Sequence, residues 1–238
     1  KTAMATPVQL EINRRLTAWG VPPWQILEVV QQDLEKFNLV NCTTALHRYA
    51  KGIQGQSLSK KDSPQLKRLL NATAEAVKAK GKVPPQNLAN ALWAMERLQL
   101  TAAEGAVCAV AQTTREALQW QLWSFTGQNL ANVAWAVAKL LNGRDAQCLL
   151  KAETPTRQDF FAPFLVALEE RAWDLNAQEI SMAAWSAAST SEGKRVVQIL
   201  GQVAQELPEG LGSLSAQQLA TLAWAFAKSG CPSEAFLK

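Results

Sequence analysis

The most regular feature of the sequence is a twelve-residue pattern of apolar, small and polar positions that recurs five times. In residues 129–140 it reads NLANVAWAVAKL. Trp fills the seventh position in four copies, and His fills it in the first copy. We call this position the aromatic slot, and its five residues are His47, Trp93, Trp135, Trp185 and Trp224. They are separated by 46, 42, 50 and 39 residues, which is the period of stacked helical hairpins. The sequence therefore predicts an all-α solenoid of about five helical-hairpin repeats of roughly 39–50 residues.

Each copy divides into faces when it is placed on a helical wheel that turns about 100° per residue. In the third copy the apolar residues gather on one face, which we predict to be core: Leu130, Val133, Ala134 and Val137. The positions four before and three after the aromatic slot are small in most copies, as in Ala131 and Ala138. Small side chains at these positions favour close packing of a neighbouring helix.

A third face holds the positions three before, one after and four after the aromatic slot. We call it the polar stripe, because four of the five copies carry a polar residue and a cation there. Its polar and basic members are Thr44, Arg48, Lys51, Asn90, Arg97, Asn132, Lys139, Thr221 and Lys228. The fourth copy instead carries Met182, Ser186 and Ser189, so we expect that repeat to contribute least to any binding along the stripe.

The segments between the copies supply the second helix of each hairpin. We predict repeat helices near residues 41–52, 86–98, 128–140, 178–190 and 217–229, within a solenoid that covers residues 24–238 and follows an N-terminal helix and linker at residues 1–23. An apolar residue lies ten positions before each aromatic slot, which predicts a repeated turn: Phe37, Val83, Phe125, Leu175 and Leu214. Pro163 is expected to kink the helix predicted at 158–173 or to lie in its first turn. Residues 229–238 read as the start of another helix, so we expect further chain, and the initial Lys1 suggests a removed presequence or a fragment.

The charge of the chain is unevenly distributed. The formal net charge is +4, but residues 1–119 hold 15 Lys and Arg against 9 Asp and Glu, whereas residues 120–238 hold 9 against 11. Much of the excess lies in residues 60–82, which we call the basic segment: Lys60, Lys61, Lys67, Arg68, Lys78, Lys80 and Lys82. Such a segment is typical of polyanion binding or of a solvated helix face. No apolar run reaches the roughly 18 to 20 residues of a membrane span, so no integral membrane segment is expected.

Signals of catalysis or cofactor binding are not found in the sequence. The four cysteines (Cys42, Cys108, Cys148 and Cys231) have no paired spacing, so neither a zinc site nor a disulfide framework is indicated. No glycine-rich phosphate loop and no Ser/His/Asp or Cys/His set stands out. His47 is the only histidine, and we interpret it as structural. We therefore expect a non-enzymatic protein without cofactor or metal.

Residues 37–51 (FNLVNCTTALHRYAK) and the reiterated NLAN-x-x-WA-x-AKL helices carry a family resemblance. Over residues 24–238 the chain resembles the helical-repeat regions of RAP-domain proteins of plastids and mitochondria, which are related in style to octotricopeptide-type and FAST-kinase-like organellar proteins. The resemblance implies a role in organellar RNA metabolism, such as transcript stability, processing, translation or ribosome assembly, and a location in the chloroplast or mitochondrion. The small RAP domain that ends such proteins is not found in this sequence.

Two functions remain open at this point. In the first, cations of the polar stripe and the basic segment contact the phosphates of single-stranded or ribosomal RNA, while Thr and Asn side chains of the stripe meet base edges. In the second, the stripe is a solvated face, and the solenoid is a structural scaffold that docks protein subunits in a large organellar complex such as a ribosome. The Trp residues of the slots are expected to pack on the next repeat rather than to stack on bases.

Overall fold

The structure, a computed structural model, describes residues 4–53, 63–79 and 81–231. The described chain is all-α, with eleven α-helices and no β-strand longer than an isolated bridge, which confirms the predicted fold class. It forms two compact units, unit 1 (Lys1–Thr113) and unit 2 (Thr114–Lys238). Several predicted features lie outside the described residues: Lys60, Lys61, Lys80 and the helix start expected after residue 231.

Every copy of the pattern lies in an α-helix, and each of these helices begins eight residues before its aromatic slot. The five repeat helices are α3 (Leu39–Gly52), α5 (Pro85–Arg97), α7 (Gly127–Asn142), α9 (Ala177–Ala188) and α11 (Ala216–Lys228). Six partner helices accompany them: α1 (Pro7–Thr17), α2 (Pro23–Asp33), α4 (Pro64–Lys78), α6 (Gly105–Gln121), α8 (Arg157–Glu170) and α10 (Lys194–Gln205). No helix in the described ranges has the length and hydrophobicity of a membrane span.

A capping box starts four of the five repeat helices. In each box the cap is the residue nine positions before the aromatic slot, and its side chain accepts a hydrogen bond from the backbone N–H of the residue three positions later. The side chain of that later residue accepts a hydrogen bond from the backbone N–H of the cap. The four pairs are Asn38 and Asn41, Thr126 and Asn129, Asn176 and Glu179, and Ser215 and Gln218. Helix α5 has no capping box. Its cap position is Pro84 and its first residue is Pro85, and proline is favourable at the first position of a helix.

The turn before each repeat helix is also repeated, as predicted. The apolar residue ten positions before the slot is buried at Val83, Phe125, Leu175 and Leu214 and half-buried at Phe37. It precedes the cap directly, which is the position from which a hydrophobic staple fixes the direction of the incoming chain. Each repeat helix is therefore positioned by the same short segment.

In unit 1 the two repeat helices lie side by side. Helix α3 packs on α5, and partner helices α1, α2 and α4 all pack on α3. The interior between them contains Leu46, Leu66 and Leu69, which have no exposed surface. Burial of such side chains stabilises the unit by about 1.5 to 3 kcal/mol each.

In unit 2 three repeat helices form a row in which α9 packs on both α7 and α11. Partner helix α8 packs on α7, and α10 packs on α9, α11 and α8. Gly201 lets α10 approach α11, because a Cβ atom added there would overlap the ring of Phe226. The hairpin arrangement predicted from the sequence is thus present within the unit.

The small positions of the pattern mark where one repeat helix meets the next. Ala131 and Ala138 of α7 and Ala188 of α9 are buried, whereas Ala220 and Ala227 of α11 are exposed. Helices α7 and α9 each have a following repeat helix in unit 2, and α11 is the last described helix. The predicted close approach through small side chains therefore holds within the row.

Pro163 lies in the interior of α8, seven residues into a helix that continues to Glu170, and not in its first turn. A proline has no backbone N–H, so the carbonyl of Asp159 lacks the donor that it would receive in a regular helix. The apolar run of residues 160–168, with Phe160, Phe161 and Phe164 buried, holds α8 in place despite this loss.

Candidate nucleic-acid interface

The rings of neighbouring aromatic slots pack against one another within each unit, tilted by 22° to 44°. In unit 1 the ring centroids of His47 and Trp93 are 4.7 Å apart. In unit 2 the centroid of Trp185 lies 4.3 Å from that of Trp135 and 6.2 Å from that of Trp224. We call these two rows the unit 1 ladder and the unit 2 ladder. They confirm that the slot residues pack on the neighbouring repeat.

The ladders lie at the surface of each unit. All five slot residues keep part of their surface in contact with solvent, and Trp224 is the most open, with 43% exposed. A ligand on a ladder would therefore touch the exposed parts of two or three neighbouring rings.

A cation follows the aromatic slot by four residues in four of the five copies. Such a residue lies one helical turn above the slot, and two of these cations rest on the ring below. The guanidinium carbon of Arg97 is 5.9 Å from the ring centroid of Trp93, and the Nζ atom of Lys139 is 4.9 Å from that of Trp135. Lys51 and Lys228 occupy the same position after His47 and Trp224 and are exposed. We call these four residues the ladder cations.

Three of the four ladder cations are not neutralised by a described carboxylate. Within residues 4–53, 63–79 and 81–231, Lys51, Arg97 and Lys228 make no ion pair. Other surface cations do, such as Lys78 with Glu75 at 3.2 Å. An anion approaching a ladder would not have to displace a carboxylate from these three side chains.

The polar residues three positions before the slot are half-buried: Thr44, Asn90, Asn132 and Thr221. Two of them make hydrogen bonds within their own helix. The Thr221 hydroxyl donates to the carbonyl of Gln217 at 2.8 Å, and the Asn90 Oδ1 atom accepts from the Gln86 Nε2 atom at 2.8 Å. A base edge at Thr221 would therefore compete with a local bond.

The polar stripe is narrower than the helical wheel predicted. The residue one position after the slot is fully buried in four copies: Ala94, Ala136, Ser186 and Ala225. Ser186 and Ala225 lie in helices that each pack on a preceding repeat helix, so this position belongs to the helix contact. Arg48 in the first copy is exposed. In those four copies the accessible face therefore shows the ring of the slot residue and not the residue that follows it. The helical wheel did not predict this.

The fourth repeat offers few free polar groups on this face. The Ser186 hydroxyl donates to the carbonyl of Met182 at 2.7 Å, and the Ser189 hydroxyl donates to the carbonyl of Trp185 at 2.8 Å. No cation follows Trp185 in this copy. We therefore still predict that the fourth repeat contributes least to binding along the stripe.

The described part of the basic segment lies mainly on another helix. Lys67 and Arg68 are exposed on α4, a partner helix, whereas the ladder cations are all on repeat helices or at their ends. Lys82 lies in the turn before α5 and is exposed. These described cations are thus a second cationic region of unit 1 and not a continuation of the ladder.

His47 differs from the Trp residues of the other slots because it can titrate. Burial is the main cause that lowers its pKa below the ordinary 6.5, and the charges of Arg48 and Lys51 lower it further. His47 is therefore neutral at neutral pH, stacked on Trp93, which agrees with a structural role. Proton transfer by this ring at pH 7 would be disfavoured by the same surroundings.

Two of the four cysteines, Cys42 and Cys231, are buried thiols. Burial raises the pKa of the Cys42 thiol to about 12 and also raises that of Cys231, so both remain protonated thiols at neutral pH. Among the described residues, no cluster of three His, Cys, Asp or Glu side chains is placed to hold a metal ion.

Comparison with known proteins does not assign the chain to a family. No family model, curated protein or solved structure matches it. The aromatic ladders and the ladder cations are therefore the features from which function is inferred.

Proposed function

We propose that this chain is a non-catalytic RNA-binding protein whose ladders contact single-stranded RNA. The observation that carries the proposal is the recurrence of an exposed cation one turn above a stacked aromatic ring, at Lys51, Arg97, Lys139 and Lys228. Proteins that bind single strands combine a cationic track for the backbone with aromatic surface for the bases. Both components are present on the same edge of each unit.

The chemistry of binding follows from these positions. The ladder cations would contact phosphate oxygens, and the exposed parts of the rings with Asn90 and Asn132 would contact bases and ribose. Each phosphate contact on a single strand makes the logarithm of affinity fall with the logarithm of salt by about 0.7. Because phosphate contacts carry no sequence information, we expect modest sequence preference and a strong dependence on salt.

The resemblance of residues 37–51 and of the repeat helices to organellar RAP-domain proteins supports the biological setting. It suggests a role in the chloroplast or mitochondrion, in transcript stability, processing, translation or ribosome assembly. The excess of cations in residues 1–119 favours a polyanionic partner. No cofactor is part of this proposal.

The test is binding of a labelled single-stranded RNA pool to the purified chain across a salt series. The ladder variant carries Lys51→Ala, Arg97→Ala, Lys139→Ala and Lys228→Ala. We expect its affinity to fall at least tenfold and its salt slope to drop by close to three, at about 0.7 per lost phosphate contact.

A matched control removes four exposed cations outside the ladders, namely Arg144→Ala, Lys151→Ala, Arg157→Ala and Lys194→Ala. It has the same net charge as the ladder variant, so a general effect of charge would weaken both equally. Equal loss in the two variants, or no binding by the wild type at low salt, would contradict a site on the ladders.

A scaffold function is the second candidate, and the large aromatic side chains left in solvent favour it. Trp19, Trp24, Trp120, Trp123 and Trp173 are each more than half exposed. A protein subunit of a large organellar complex could pack on such side chains. Sedimentation of the chain with a large complex in an organelle extract, if it survives complete RNase digestion, would favour this function over direct RNA binding.

A further inference from the structure

Unit 2 contains a groove that is separate from the unit 2 ladder. It lies between the end of α6, from residue 115 onward, and α8, and it encloses about 540 Å³. Buried Leu118, Leu122 and Ala167 contribute to its lining together with Pro163. We call it the α6–α8 groove. No residue of an aromatic slot and no ladder cation lines it.

The two helices that form the groove run in the same direction. At one end the guanidinium carbon of Arg115 is 5.8 Å from the ring centroid of Phe160. At the other end the Arg171 Nη1 atom donates to the carbonyls of Leu122 at 3.3 Å and Phe125 at 3.0 Å. The lining residues of α8 recur with helical spacing from Asp159 to Glu170, so the groove is about 16 Å long at 1.5 Å per residue.

Three large apolar side chains of the groove are left in solvent. Trp120 is 53% exposed, Trp123 is 75% exposed and Val166 is 54% exposed. Isolated exposed apolar residues are common on proteins, but a contiguous group in a groove marks an interaction surface. Tryptophan is also the residue type most enriched among those that dominate binding energy.

The groove presents both donors and acceptors to solvent: Arg115 and Gln119 can donate hydrogen bonds, and Asp159 and Glu170 accept them. The carboxylates of Asp159 and Glu170 line it at its two ends and both residues are exposed. The backbone carbonyl of Asp159 is a further acceptor at the same end of the groove, because Pro163 has no backbone N–H to donate to it.

Two arginines lie at the groove: Arg115 is part of its lining, and Arg171 is held by hydrogen bonds beyond its other end. The Arg115 guanidinium rests on the buried ring of Phe160. Arg171 is half-buried, lies over the Trp123 ring at 5.1 Å, and bonds the Asp174 carboxylate and the carbonyls that end α6 and its 3-10 turn. The charged side chains that line the groove are Arg115 and Asp159 at one end and Glu170 at the other, with a net charge of −1. The excess negative charge therefore lies at the Glu170 end, and a complementary partner carries a cation there.

We propose that the α6–α8 groove docks a basic amphipathic helix of a protein partner. Apolar residues of that helix, at i, i+3, i+4 and i+7, would fill the space beside Trp120, Trp123 and Val166. A Lys or Arg residue near one end of that helix would meet Glu170. The other end would lie beside Arg115 and Asp159, whose carboxylate also accepts hydrogen bonds from Thr156. A helix fits because a groove between two parallel helices presents rows of side chains into which a third helix packs. RNA is disfavoured here by the same excess negative charge that attracts the basic helix.

The test uses the full chain and a synthetic fluorescein-labelled peptide of about 18 residues, long enough to form a helix on binding. The peptide contains only Leu and Lys at amphipathic helical spacing, and a matched peptide has Glu in place of every Lys. Fluorescence anisotropy is expected to show that the Lys peptide binds at least tenfold more tightly than the Glu peptide.

Variants of the chain locate the binding. Val166→Asp places a charge among the apolar contacts and is expected to weaken the Lys peptide at least tenfold. Glu170→Lys is expected to reverse much of the preference between the two peptides. Trp173→Ala is the control, because Trp173 is 63% exposed in the same unit but does not line the groove.

Several outcomes would overturn the proposal. The two peptides binding wild type equally would remove the charge argument without the need for any variant. Equal losses in Val166→Asp and Trp173→Ala would place the peptide elsewhere. Loss of RNA binding in Val166→Asp would assign the groove to RNA, and a dimer in sedimentation that Val166→Asp dissociates would assign it to a second copy of the chain. The ladder variant is expected to bind the Lys peptide normally, so the RNA proposal and the groove can fail separately.

Discussion

The two ladders use the same position of the same helix pattern but differ in what they contain. The unit 1 ladder has two rings, His47 and Trp93, with three cations on the same helices, Arg48, Lys51 and Arg97. The unit 2 ladder has three indole rings, and its cations Lys139 and Lys228 belong to the two outer repeats. Charge is thus concentrated in one unit and aromatic surface in the other.

This difference separates two roles of the aromatic slot. Where three indoles stack, each buries a large apolar surface against its neighbours, so the slot contributes mainly to stability. Where a neutral histidine lies among cations, the slot contributes less packing and leaves more positive charge at the surface. We therefore expect loss of stability from substitutions in the unit 2 ladder and sensitivity to pH and salt from the unit 1 ladder.

The largest effect is expected at the centre of the unit 2 ladder. Trp185→Ala removes a ring that contacts both neighbours, and we expect it to lower the free energy of unfolding by about 3 kcal/mol. Trp224→Ala removes a more exposed terminal ring, and about half that loss is expected. Urea unfolding followed by circular dichroism measures both, and equal losses would show that stacking between slots is not what stabilises the unit.

A smaller effect on stability is expected when His47 of unit 1 is replaced by Trp, the residue that fills every slot of unit 2. The folded-state pKa of His47 lies below its ordinary 6.5, mainly through burial and secondarily through Arg48 and Lys51. The unfolded chain therefore binds the proton more tightly, so stability is full above about pH 6.5 and is lost as the pH falls through that value towards the folded-state pKa. His47→Trp should remove this part of the pH dependence.

The measurement is the difference in urea midpoint between wild type and His47→Trp at a series of pH values from about 7.5 to 5.5, on either side of an ordinary histidine pKa. Asp33, whose pKa is lowered by hydrogen bonds from Lys36 and Arg15, loses its contribution only as the pH falls through the more acidic range below 3.8. A difference that stays constant with pH would mean that His47 is equally easy to protonate in the folded and unfolded chains.

The smallest effect concerns the cations that rest on the rings. Arg97→Gln in unit 1 and Lys139→Gln in unit 2 each remove one such contact, and a loss of about 0.5 kcal/mol is expected for each. The contact distance is shorter for Lys139, so its loss should be the larger of the two. The shift in urea midpoint at low salt measures both. A gain in stability at either site would show that repulsion between cations outweighs their attraction to the ring.

The helical pattern predicted the repeat helices well, because period and residue size are local properties of the sequence. Small residues at Ala131 and Ala138 indicated a close helix neighbour, and stacked slots follow once helices with the same pattern lie side by side. The capping boxes also have a sequence signal, for example Thr126 followed by Asn129, but they lie just before the repeated pattern and were missed.

Other features depend on which elements meet in space. The helical wheel places Ala136 and Ala225 beside the polar residues of the stripe. It does not show that a neighbouring helix covers these two alanines. Likewise, Trp120 and Val166 belong to different helices, so the α6–α8 groove has no counterpart in a single stretch of sequence. The division into two units was not predicted for the same reason.

The capping boxes have a consequence for how such a chain can change in length. Each box lies a constant nine residues before the ring, while the distance from one ring to the next varies from 39 to 50 residues. The start of each repeat helix is set by its own neighbouring residues and does not depend on counting from the preceding repeat. Insertions and deletions can therefore accumulate in the segments between repeat helices while the rings stay aligned, since a helix that restarts at its cap resets the register.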